Sequence, residues 1–227
     1  MHTLKVVILI LIPYLLFGLA YLAYYYNKPK WFIRKLIHTF GLILVGIYGS
    51  FLNTLEEVLY VLTIFLIILV ILSLIPQLQL FQSLIRMGTR EGQSQIESVV
   101  NATLTSVSIL ALMIVAFFGS RHYFLAGVLS VALGDGLGEF IGKPYGKHKY
   151  KLITQKSVEG SFGVFIGTFI GSVIAFISFD INFLSVEILL IMLFVSIVAT
   201  LIEAFSVSFI DNVIMPWAVA GLLWLLI

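Results

Sequence analysis

The chain has no cysteine and few charges: only 11% of its 227 residues are Asp, Glu, Lys or Arg. The missing thiols exclude disulfides and thiolate metal sites. The scarcity of charge excludes a soluble globule, because 61% of the residues are hydrophobic and a fold of this size lacks the interior to hide them. A bilayer supplies the apolar solvent that such a chain needs. Backbone polar groups must then pair within the spanning structure, which leaves helices or closed barrels. A barrel shows short segments of alternating polarity. Here the apolar runs are long and unbroken, and about 20 such residues cross the hydrocarbon core as a helix.

Candidate spans fall near residues 4–26, 36–52, 57–75, 99–118, 123–141, 161–179, 186–208 and 213–227. The last is short and contains Pro216, so the expected fold is all-α, a polytopic membrane protein with seven to eight transmembrane helices. The run Leu4 to Tyr26 is too long for a signal-peptide core and lacks a small-residue cleavage site, so it reads as a retained first span. No soluble domain or low-complexity segment interrupts the pattern, and residues 1–227 read as a single integral membrane domain.

The charges are unevenly placed. With eight spans, loops 27–35, 76–98 and 142–160 share one side of the membrane. They hold Lys28, Lys30, Arg34 and Lys35, then Arg86 and Arg90, then Lys143, Lys147, Lys149, Lys151 and Lys156. Of the 13 Lys and Arg, only Lys5 and Arg121 fall opposite. The positive-inside bias therefore puts these loops in the cytoplasm and both termini outside. Asp135, Glu139, Glu159, Glu203 and Asp211 all lie near that same face.

Certain clusters there suit chemistry. Asp135 and Glu139 are four residues apart inside an apolar helix, hence on one face. An ionised group at membrane depth is costly and is read first as functional. Two such carboxylates repel unless a cation lies between them or one is protonated, and an oxygen-rich pair suits Mg²⁺ shared with phosphates. The surrounding Gly134, Gly136, Gly138 and Gly142 admit either a phosphate or a neighbouring helix. Next comes a basic segment, Lys143 to Lys156, with Gly146 within it and Ser157, Glu159, Gly160 and Ser161 following. Its lysines and glycines suit polyphosphate as well as anionic lipid heads. Ser157 or Ser161 is placed to cap span six, whose N-terminal amides favour an anion. Arg34 and Lys35, with His38 one turn on, can clamp phosphates or anchor the helix at the interface. Glu203, Asp211 and Asn212 can complete a metal site or orient an alcohol, or simply end a helix. Gly163, Gly167 and Gly171 read as helix packing alone.

Taken in order, these segments resemble the membrane-bound dolichol kinase and phytol kinase family, which includes CTP-dependent diacylglycerol kinases. Arg34-Lys35 with His38, Gly134-Asp135-Gly136-Leu137 through Gly142 and Gly146, Lys156-Ser157 with Gly160-Ser161, and Glu203 with Asp211-Asn212 and Pro216 match its motifs. The likeness spans about residues 31–217, the expected catalytic region. Gly138, Gln155 and Ile210 depart from the alanine, asparagine and second acid common in the family.

The resemblance implies a lipid kinase transferring the γ-phosphate of CTP to an isoprenoid alcohol such as phytol, geranylgeraniol, dolichol or another polyprenol, at the cytoplasmic face. On that expectation Asp135, with Glu139 or Asp211, holds Mg²⁺ on the triphosphate. Arg34, Lys35, Lys143 and Lys156 neutralise phosphate oxygens. Gly142, Gly146, Ser157, Glu159, Gly160 and Ser161 complete the nucleotide site. Glu203 or Asp211 orients or deprotonates the alcohol, with His38 and Asn212 as further candidates. The expected partners are a lipid alcohol, a nucleoside triphosphate and membrane lipids, with no nucleic acid. A CDP-lipid cytidylyltransferase would use the same residues and release pyrophosphate. A transporter would use the buried acids as a cation or proton relay, but no inverted repeat is visible.

Overall fold

A computed structural model of the chain describes residues 18–51, 54, 56, 57, 59, 60, 63, 64, 67, 95–117, 119–207 and 210–227. Residues 18–25 are helical. That helix ends with Asn27 in the left-handed region (φ 53°), its N–H on the Tyr24 carbonyl and that of Lys28 on the Ala23 carbonyl. This paired closure satisfies carbonyls that a helix end leaves open. Pro29 follows, and α1 (Lys30–Phe51) begins. After it come α2 (Gln95–Phe117) and α3 (Arg121–Leu129). A π-helical turn, Ser130–Asp135, runs straight into α4 (Gly136–Tyr145). Two short strands, β1 (Lys149–Lys151) and β2 (Gln155–Ser157), pair antiparallel with Tyr150 opposite Lys156. Helices α5 (Val158–Ser178), α6 (Val186–Phe205) and α7 (Ile210–Leu226) complete the order.

The chain is an α-helical membrane protein. Among the described residues, Lys30–Ser50, Arg121–Tyr145, Val158–Ser178 and Val186–Phe205 are long and apolar enough to cross a bilayer. Leu104–Ala116 and Ile210–Leu226 are shorter apolar helices. The expected spans 4–26 and 57–75 fall largely outside the described residues, as do Lys5, Arg86 and Arg90. The fold is all-helical as expected, and the short β1–β2 hairpin lies within the stretch expected as a basic loop.

Helix α5 packs along the whole α3–π–α4 rod, and glycines on both sides make the approach possible. A Cβ on Gly167 would stand 2.4 Å from the Leu133 carbonyl oxygen, one on Gly163 2.8 Å from that of Leu137, and one on Gly138 2.6 Å from Val164 Cγ2. Gly134, Gly138 and Gly142 therefore serve the same seam as the glycines of span six, while Gly136 faces Thr39 of α1. Without a hydrophobic drive between helices in lipid, such close contact is what holds them. Gly167→Ala is expected to lower stability by about 1–3 kcal/mol, the usual range for overpacking. Thermal unfolding in detergent checks this; an unchanged midpoint would contradict the seam.

Candidate active site

The helix ends gather the polar residues. The start of α1, the end of α4, the hairpin, the start of α5, the end of α6 and the start of α7 meet at one end of the bundle. There they enclose a cleft of about 520 Å³. From α1 it is lined by Lys30, Trp31 and Arg34, and from the rod by Asp135, Gly138, Glu139, Gly142 and Lys143. The hairpin adds Lys149, Thr154, Gln155, Lys156 and Ser157; α5 adds Gly160 and Ser161; α6 and α7 add Glu203 and Asp211.

Asp135 closes the π turn, and Glu139 follows one turn later in α4. Such π-helical turns occur often at functional sites. The two carboxylates are held by three cations. Lys35, 1% exposed, pairs with Asp135 and lies 3.3 Å from Glu139 Oε2. Arg34 Nη2 donates to both Glu139 oxygens at 2.6 and 2.7 Å, and Lys143 Nζ is 2.9 Å from Oε1. The same ammonium stands 4.9 Å from the centre of the Trp31 ring, within cation–π range. The sequence pattern places Lys35 beside Arg34 on phosphate. The structure instead puts it behind the cleft as counter-charge to the acids. Buried carboxylates need such a partner, since the desolvation of an unpaired charge is costly.

The hairpin is fastened to the first turn of α5. Ser157 caps that helix, its hydroxyl oxygen accepting the Gly160 N–H at 3.1 Å. Tyr150 Oη lies 2.6 Å from Ser161 Oγ. His148 Nδ1 lies 2.7 Å from Glu159 Oε1, and the His148 backbone N–H donates to the same carboxylate at 3.2 Å. Glu159 thus holds the hairpin and does not line the cleft. Gly146 likewise serves a tight turn, since a Cβ there would meet the Gly142 carbonyl oxygen at 2.3 Å and Ser157 Oγ at 2.5 Å. On the far side Lys156 pairs with Glu203, tying β2 to α6.

His38 and Asn212 lie outside the cleft lining. Asn212 is buried beside Asp211, whose Oδ1 accepts its backbone N–H at 2.8 Å. Its own Oδ1 has no hydrogen-bond partner among the described residues. Pro216, four residues on, brings no N–H to the Asn212 carbonyl. Trp31 and Thr154, together with Lys30, Lys149 and Gln155, line the cleft although no motif marks them as site residues. The available signal for Lys30 and Trp31 was helical phase, since both precede Arg34 by about one turn.

Four carboxylates and five cations therefore line one cleft. Such a surface docks a polyanion together with a hard cation. Among the described residues no three His, Cys, Asp or Glu side chains converge as a protein-only metal cage. The donors fit Mg²⁺, which takes one or two carboxylates and draws its other oxygens from phosphate and water.

Comparison with known proteins points the same way. The chain is 31% identical over 118 residues to the phytol kinase of Synechocystis sp., covering 51% of this chain and 50% of that protein. It is 25% identical over 194 residues to the probable chloroplastic phytol kinase of Zea mays, covering 82% of this chain and 63% of that one. The chain thus spans between half and two thirds of the curated relatives it matches. No family model and no solved structure matches it. The likeness to two phytol kinases bears out the resemblance read from the motifs.

Proposed function

We propose that the protein is a lipid kinase transferring the γ-phosphate of CTP to an isoprenoid alcohol at the cytoplasmic face of a membrane that it crosses seven or eight times. The observation that carries this reading is the convergence of Asp135, Asp211 and Glu203 with Lys156, Lys143 and Arg34 around one cleft at one end of the bundle. Phosphoryl transfer needs positioning and charge neutralisation above all, and this cleft supplies both. The two relatives named phytol kinase support the acceptor class. The cluster of lysines on the hairpin supports the cytoplasmic placement.

In this reading Asp135 and Asp211 hold Mg²⁺, which supplies charge neutralisation on the triphosphate. Lys156, Lys143, Lys149 and Arg34 face phosphate oxygens. The first amides of α5, near Gly160 and Ser161, add the positive end of a helix. Glu203 or Asp211 orients the alcohol and takes its proton. The alcohol oxygen bonds to the γ-phosphorus, the bond to the β-phosphate oxygen breaks, and CDP leaves. The acids gather at one end of the bundle and not along its length, which disfavours an ion pathway.

The test is product analysis. Purified protein is given γ-labelled CTP, Mg²⁺ and phytol, geranylgeraniol or a polyprenol. The expected products are a labelled lipid monophosphate and CDP. No labelled lipid across the panel would sink the kinase reading. Pyrophosphate release from a lipid phosphate with CTP would assign a cytidylyltransferase instead.

A further inference from the structure

We infer that the tail of the acceptor lies in an apolar groove between α1 and α4, with the Trp31 indole standing between the tail and the phosphate cleft. This rests on the kinase reading for the identity of the acceptor. A second hollow, of about 550 Å³, adjoins the cleft and shares Trp31 with it as a wall. Its volume lies within the range of about 300–1,000 Å³ typical of small-molecule sites. On α1 it is lined by Phe32, Leu36 and Phe40, and on α4 by Phe140 and Pro144. Both sets repeat every four residues, so each forms one stripe along its helix.

The phase of these stripes is the argument. On α1 the cleft face carries Lys30 and Arg34, and on α4 it carries Glu139 and Lys143. The groove stripes sit a residue or two further on, which rotates each helix from its polar face to its apolar face. The two helices that clamp Glu139 therefore also build the groove, and the groove runs alongside the charged cluster. Three aromatic rings meet at the junction: Trp31 and Phe140 at 6.4 Å, Phe32 and Phe140 at 5.4 Å, Trp31 and Phe32 at 5.9 Å. A single apolar chain ending in an uncharged hydroxyl fits this continuity. Its tail occupies the groove, and its head passes Trp31 toward the carboxylates. The occupant is thus a prenyl or similar single-chain alcohol; a two-chain phospholipid would fill the groove only as ordinary surrounding lipid.

The experiment uses the full-length protein in detergent with a geranylgeraniol analogue carrying a diazirine on its tail. After irradiation, the label is expected within Trp31–Phe40 and Phe140–Tyr145. Unlabelled geranylgeraniol is expected to compete it away, and a diacyl phospholipid at the same concentration is not. Leu36→Trp, which fills the groove, is expected to cut labelling and raise the KM for geranylgeraniol by about tenfold, the effect of displacing roughly two methylene groups from an apolar site. The KM for CTP is expected to stay the same. Label on other segments, or equal competition by phospholipid, would overturn the groove. Mapping needs no turnover, so it stands apart from the kinase reading. Label in the groove without lipid phosphate formation would support the groove and defeat the kinase; lipid phosphate formation with label elsewhere would do the reverse.

Discussion

Asp135→Asn is expected to lower turnover by about a hundred- to a thousandfold, the scale of losing one pre-placed electrostatic group in a desolvated site, while the protein still folds. Asparagine keeps the size of the side chain but loses the charge that would hold Mg²⁺. Folding survives because Lys35, the buried cation behind Asp135, still has Glu139 Oε2 at 3.3 Å. Glu139 in turn keeps Arg34 and Lys143. The checks are the rate of lipid phosphate formation and the thermal midpoint in detergent. Near wild-type turnover would remove Asp135 from the metal role.

Lys35→Met is expected to cost about 3–5 kcal/mol of stability, as breaking a buried ion pair from one side does. The methionine fills similar space but removes the ammonium that bridges Asp135 and Glu139. The two carboxylates, one helical turn apart, are then left to repel. Adding Asp135→Asn is expected to restore much of the lost stability, because the uncompensated charge is gone, without restoring turnover. This double-mutant cycle separates the two roles, since coupled neighbours depart from additivity. If Lys35→Met unfolded at the wild-type temperature, the buried pair would be energetically idle.

The helices were legible in the sequence because a membrane span needs a long apolar run and little else. The acids were legible for a related reason: charge at that depth is rare enough to stand out, so Asp135, Glu203 and Asp211 could be named before their neighbours were known. The cap of α5 was narrowed by sequence to Ser157 or Ser161, and Ser157 is the one that caps it. What escaped was set by tertiary contact. The hairpin strands are three residues each and rich in lysine. They pair because Tyr150 meets Ser161 and His148 meets Glu159, contacts that no local pattern announces. Arg34 and Lys35 looked like one phosphate clamp. Adjacent helical residues point about 100° apart, so Arg34 faces the cleft while Lys35 is turned inward. The π turn before Asp135 has no local marker in Ser130–Asp135. The glycines near Asp135 suit either a phosphate or a neighbouring helix: Gly134 and Gly138 meet α5, Gly136 meets Thr39 of α1, and Gly138 and Gly142 also line the cleft.

In the proposed function a magnesium–triphosphate complex sits between the acids of the α3–π–α4 rod and the lysines of the hairpin. A structure determined with CTP and Mg²⁺ addresses it most directly. The metal is expected on Asp135 and the triphosphate between Lys143 and Lys156, beside the first turn of α5. Nucleotide bound at the opposite end of the bundle, or with Asp135 and Lys156 both clear of its phosphates, would contradict it.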